Sequence, residues 1–103
     1  MYHPLEHEIV HYFNKRKLVW PTDADTALQF ALTEMAEATE LLLARKSDWK
    51  RNNPGNKEAF TPAKLSEELG DIIMMVVIAG LVEGLSPINA LIAKMERKLE
   101  EQK

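Results

Sequence analysis

Between Ile72 and Val82 the chain reads IIMMVVIAGLV, without a charge or a strongly polar group, while the stretch just before it, LSEELGD, holds acids at Glu67, Glu68 and Asp71. Apolar positions recur at helical spacing, not in alternation, in every segment long enough to judge, which predicts helices throughout. The first runs from Pro4 to about Lys17, with Leu5, Ile9, Tyr12 and Phe13 on one side. The sequence WPTDAD breaks it, because Pro21 cannot continue a helix, and Thr22, Asp23 or Asp25 supplies a cap for the next. The second helix runs from about Asp25 to Lys46, with Leu28, Ala31, Leu32, Met35, Ala38 and Leu42 as a broad apolar stripe. The segment SDWKRNNPGNKEAF, rich in Asn, Pro and Gly, is a loop. Thr61 as N-cap and Pro62 at the first helical position open the third helix, which should stop near Gly84. Ser86 and Pro87 repeat that signal for the fourth, which runs through KMERKLEEQK.

This pattern predicts a single all-α domain over residues 1–103, a bundle of about four helices. The third helix is apolar on every side between Ile72 and Val82, so neighbours must cover all of it. Three partner helices in so short a chain are too few, which predicts that a second copy covers part of the surface, in a homodimer or homotetramer.

Acids interrupt the apolar stripes in a regular way. Glu34 and Glu37 lie three apart on the second helix, along the line of Phe30 and Leu41; Glu68 and Asp71 lie three apart on the third, bordered by Leu65, Ile72 and Met75. Residues at this spacing share a helix face. If the two faces meet, four carboxylates converge, and their mutual repulsion raises pKa values or drives the helices apart. A divalent cation reverses that interaction, and oxygen-only ligands suit Mg²⁺ or Mn²⁺. Glutamate pairs at this spacing are also common on solvated helix faces, where they bind nothing.

Composition narrows the class. The 103 residues are 46% hydrophobic and 28% charged, with a net charge of -3, which disfavours both disorder and a broad basic surface for a nucleic acid polymer. A free nucleotide remains compatible, because a metal ion can supply positive charge. The absence of cysteine excludes disulfides and thiolate metal sites and fits a cytoplasmic chain. The opening MYHPLEHEIV has no signal-peptide character, and the run from Ile72 to Val82 is too short to span a bilayer, for which about 18 apolar residues are needed, so no membrane partner is expected. His3, His7 and His11 fall at helical spacing but are interrupted by Pro4, and read as a surface stripe.

Thr33-Glu34-Met35-Ala36-Glu37 followed by Glu68-Leu69-Gly70-Asp71 resembles the E-E-x-x-E and E-x-x-D signature of the MazG-like, all-α nucleoside triphosphate pyrophosphohydrolases. Glu67-Glu68-Leu69-Gly70-Asp71-Ile72 is especially similar to the second motif, and the four-helix layout agrees over nearly the whole chain. Thr33 stands where the signature has its first Glu, and the insert between Glu37 and Glu68 is longer than usual.

The resemblance implies Mg²⁺-dependent hydrolysis of a nucleoside or deoxynucleoside triphosphate to the monophosphate and pyrophosphate. It makes Glu34, Glu37, Glu68 and Asp71 the catalytic metal ligands, with Mn²⁺ as a possible substitute. It also points to basic residues of the last helix, Lys94 and Lys98, for the phosphates, and to Trp20, just ahead of the second helix, for the base. Lys50, Arg51, Lys57 and Trp49 in the long loop are further candidates. Phosphoribosyl-ATP pyrophosphohydrolase is a near alternative in the same superfamily. A different class, a non-catalytic helical module that dimerises through the Ile72 to Val82 surface and binds a partner protein, explains the dry helix but not the alignment of acids.

Overall fold

The computed structural model describes residues 1–17, 21, 23–46 and 60–102. These form four helices, α1 (Pro4–Arg16), α2 (Ala24–Leu43), α3 (Pro62–Val82) and α4 (Pro87–Glu101), with no strand among the described residues. The all-α class is as expected.

Each helix starts where a side chain can satisfy its first free N–H groups. Asp23 Oδ1 accepts the Thr26 N–H at 2.7 Å, Thr61 Oγ1 that of Lys64 at 3.1 Å, and Ser86 Oγ that of Asn89 at 3.3 Å. α1 is capped reciprocally. His3 Nδ1 accepts the Leu5 N–H at 3.0 Å while the His3 N–H donates to Glu6 Oε1 at 2.8 Å, a reciprocal capping box. Such caps contribute about 1 kcal/mol each.

α2 and α3 pair antiparallel. Ala27, near the start of α2, clusters with Val77 and Ile78 near the end of α3, while Arg45 lies over the Phe60 ring, 4.7 Å from its centre, at the opposite end of the pair. The core is concentrated at the first of these ends, where Ile9 and Phe13 of α1 pack with Ala27, Val77, Ile78 and Ala79.

The buried stripe of α2 matches the expected one only at Ala31 and Ala38. Ala27, Ala31, Ala38 and Leu41 are buried, whereas Leu28, Leu32 and Met35 are exposed. Alanines leave room for α3 to come close, so the small residues take the contact line and the larger ones stand about 100° round the helix. On α1, likewise, Ile9 and Phe13 are buried but Leu5 and Tyr12 are not.

α3 ends in a Schellman turn. Gly84, at φ 73°, donates its N–H to the Leu81 carbonyl at 3.0 Å, and Leu85 donates to the Gly80 carbonyl at 2.8 Å. α4 then leaves at 101° to α3 and buries none of its residues fully. The radius of gyration is 17.1 Å, against about 13 Å for a compact domain of this length, so the packing is more open than that of a closed bundle. No single helix among the described residues is long and apolar enough to cross a membrane.

Candidate functional site

Glu34 belongs to the alanine side of α2, one turn from Ala31 and Ala38, and therefore looks toward α3. Glu68 looks back from α3. The two half-buried side chains meet near the middle of the pair, and Glu37, exposed and three residues on from Glu34, joins them. One carboxylate oxygen from each of Glu34, Glu37 and Glu68 lies within 4.8 Å of the other two. Asp71 does not belong to this group of three, but it is near enough to act on Glu68 electrostatically.

The arrangement is electrostatically costly. Glu68 Oε2 is out of reach of water and has no hydrogen-bond partner among the described residues. The Glu68 carboxyl is pushed above its ordinary range, first because contact with Glu34 favours a shared proton, then by burial and by the charge of Glu34. Contact with Glu37 works in the other direction, and the charge of Asp71 adds to the rise.

Comparison with protein-family models, curated proteins and solved structures finds no match.

A hard divalent cation fits these residues. The donors are all carboxylate oxygens, their charges repel one another, and one buried oxygen has nothing to accept. Mg²⁺ and Mn²⁺ are matched to such a set, with water and phosphate oxygens filling the remaining positions.

Of the other expected site residues, Lys94 and Lys98 are among those described. Lys94 and Lys98 lie on α4, which diverges from α3, and among the described residues no ion pair links them to the acids. Lys98 pairs with Glu101 at 3.4 Å, and Arg97 approaches the same carboxylate at 4.0 Å. Trp20 lies outside the described residues, as do Trp49, Lys50, Arg51 and Lys57. The histidine stripe divides its roles: His3 caps α1, His7 stands edge-on to the Tyr2 ring, and His11 is exposed.

Sequence reasoning missed Glu6. It is the one buried charged residue among those described, and its carboxylate serves two helices at once. Besides the His3 N–H, it accepts the Ser86 hydroxyl at 2.5 Å and the Ile88 N–H at 3.0 Å. Pro4 followed two residues later by Glu6 was a legible cap signal; the bond to α4 left no local trace.

Proposed function

We propose that the chain is a Mg²⁺-dependent nucleotide pyrophosphohydrolase that converts a nucleoside or deoxynucleoside triphosphate to its monophosphate and pyrophosphate. The observation that carries this reading is the meeting of Glu34, Glu37 and Glu68 around a buried carboxylate oxygen without a partner, with Asp71 alongside. The resemblance of the two acidic motifs to the MazG-like enzymes supplies the reaction.

In this reading Glu34, Glu37 and Glu68 hold the cation, and Asp71 completes the set from the rim. Bound there, Mg²⁺ would neutralise phosphate charge and favour attack by water at the α-phosphorus. As the water oxygen bonds to that phosphorus, the bond to the α–β bridging oxygen breaks and pyrophosphate leaves. A carboxylate of this set that is not fully committed to the metal would take up the water's proton. Lys94 and Lys98 would contact phosphates, from a neighbouring chain if α4 keeps its present direction, and Trp20 the base. We also propose a homodimer or homotetramer in which a four-helix bundle is completed between copies.

The test is a panel of canonical and damaged nucleoside triphosphates, with phosphoribosyl-ATP added, incubated with Mg²⁺ or Mn²⁺. Pyrophosphate, and not orthophosphate, should appear, and Glu37→Gln or Asp71→Asn should abolish it. Absence of turnover on every substrate, with metal binding unchanged in those variants, rejects the proposal.

The exposed apolar residues of α2 and α3 favour a second reading, a non-catalytic interaction module. Calorimetry separates the two: such a module would show no saturable Mg²⁺ binding dependent on Glu34, Glu37, Glu68 and Asp71.

A further inference from the structure

We infer that the ring of Phe30 is the platform on which the nucleobase of the triphosphate stacks, with Gln29 and Thr33 at the polar edge of the base. The inference rests on the pyrophosphohydrolase reading, deepens it by placing the base, and is independent of Trp20.

α2 and α3 carry one aromatic residue between them, Phe30. It is 53% exposed, and among the described residues no ring or cation is stacked on it. An open aromatic face forfeits the burial that such a side chain usually gains. Single exposed rings are ordinary on a surface, so what gives this one meaning is its place beside the acids.

Phe30 precedes Glu34 by four residues and Glu37 by seven. At about 100° per residue the first step is about 40° past a full turn and the second about 20° short of two. Phe30 therefore projects on the flank of α2 that carries Glu37, next to Glu34. Leu28, Leu32 and Met35 turn to the other flank. Along the axis Phe30 stands about 6 Å from Glu34 and about 10 Å from Glu37. A cation held by Glu34, Glu37 and Glu68 would fix the phosphates at that end. The pentose separates the α-phosphate from the base by a comparable span, which brings the base over Phe30 when the nucleotide lies along α2.

The ring forms one wall of a cleft of about 210 Å³, lined otherwise by Thr26, Gln29 and Thr33. Clefts that enclose a whole drug-sized ligand run to about 300–1,000 Å³, so this one takes part of a ligand and leaves the rest outside. No charged side chain is among these four, which suits a neutral ring and not a phosphate. Phe30 supplies the apolar plane, and every base has a π face to lay on it. Gln29 supplies an amide, donor and acceptor at once, for the polar edge. Thr33 donates its hydroxyl hydrogen to the Gln29 carbonyl at 3.1 Å, so toward a ligand the same oxygen is an acceptor, as an exocyclic amino group requires.

Calorimetry with Mg²⁺ and two kinds of probe tests the inference. One is the set of uncleavable α,β-imido analogues of adenosine, guanosine, cytidine and uridine triphosphates; the other is inorganic tripolyphosphate, which has no base. Phe30→Ala should weaken the best-bound analogue by about tenfold to a hundredfold, the scale of a lost base–aromatic stack, and leave tripolyphosphate unchanged. Phe30→Trp should retain the affinity. Phe30→Leu, which keeps apolar bulk without the plane, should lose it, and decides the matter if the alanine variant loses its helical circular dichroism. Leu32→Ala, on the other flank, should change neither probe. Equal weakening of both probes in Phe30→Ala, or of neither, would overturn the inference. A wild type that releases pyrophosphate yet is indifferent to Phe30→Ala overturns the stacking platform alone. A wild type that binds no analogue and releases no pyrophosphate overturns the enzymatic reading and the platform with it.

Discussion

The carboxylate of Glu6 accepts the backbone N–H of Ile88 at 3.0 Å, joining the first turn of α1 to the first turn of α4. Ser86, which caps α4, donates its hydroxyl to the same carboxylate. Glu6 is 1% exposed, so nothing but these donors replaces the water it has lost.

Burial alone would push the Glu6 carboxyl up, but the bonds from Ser86, Ile88 and His3, with the electrostatic influence of His3, outweigh it and hold the group below 4.5. A lowered carboxyl stabilises the fold fully above its unfolded value and loses that contribution as pH falls through the lower folded value. The thermal midpoint should therefore drop on acidification below about 4.5. Glu6→Gln should lower stability at neutral pH by about 2 kcal/mol and flatten this acid limb, as read by denaturant titration at several pH values.

Glu68 has the opposite sign. Its raised carboxyl means that the folded state binds a proton more tightly than the unfolded chain, so metal-free stability should decline as pH rises from 4.5 to the folded value. Glu68→Gln should therefore raise metal-free stability at neutral pH by about 1 kcal/mol, which for a domain of this size is a shift of roughly 4–8 °C in midpoint. The same substitution should remove the stabilisation that Mg²⁺ gives the wild type, and wild-type Mg²⁺ affinity should weaken as the pH is lowered. Differential scanning fluorimetry with and without Mg²⁺ reads both effects.

A methyl group at Gly80 would collide with the ring of Pro87, where α4 crosses the end of α3. Gly80→Ala should cost about 1–3 kcal/mol from overpacking, although alanine is the better helix former. Adding Pro87→Ala should recover part of that loss, and a double-mutant cycle by urea unfolding measures how much.

Gly70 is the contrasting case. It lies inside α3, is exposed, and has nothing within 4 Å of an added Cβ. Gly70→Ala should stabilise the protein by about 0.5–1 kcal/mol through the unfolded chain and helix propensity. A destabilised variant in the same urea experiment would contradict the open space seen beside this residue.

Local signals in the chain were legible to within a residue or two. Thr61-Pro62 and Ser86-Pro87 mark the starts of α3 and α4 because capping is a property of adjacent residues. The convergence of Glu34, Glu37 and Glu68 also follows from spacing once α2 and α3 are paired. Ala31 and Ala38 on the contact line of α2 were legible, but Ala27 was passed over for Leu28, because hydrophobicity ranks leucine above alanine whereas close approach favours the smaller side chain. Lys94 and Lys98 could not be placed from periodicity, since a corner of 101° decides where α4 points. Glu6 escaped because its partners at Ser86 and Ile88 are remote in sequence.

The shared carboxylate also orders the assembly of the protein. During synthesis α1 emerges with Glu6 already in place, but two of its three donors belong to residues made some 80 positions later. Until they arrive the carboxylate must stay hydrated, and Ile9 and Phe13, within two turns of it on the same helix, are held back from the apolar surface they finally cover. The α2/α3 pair can thus form early, while α1 docks last, when the chain has supplied the groups that let its acid go dry.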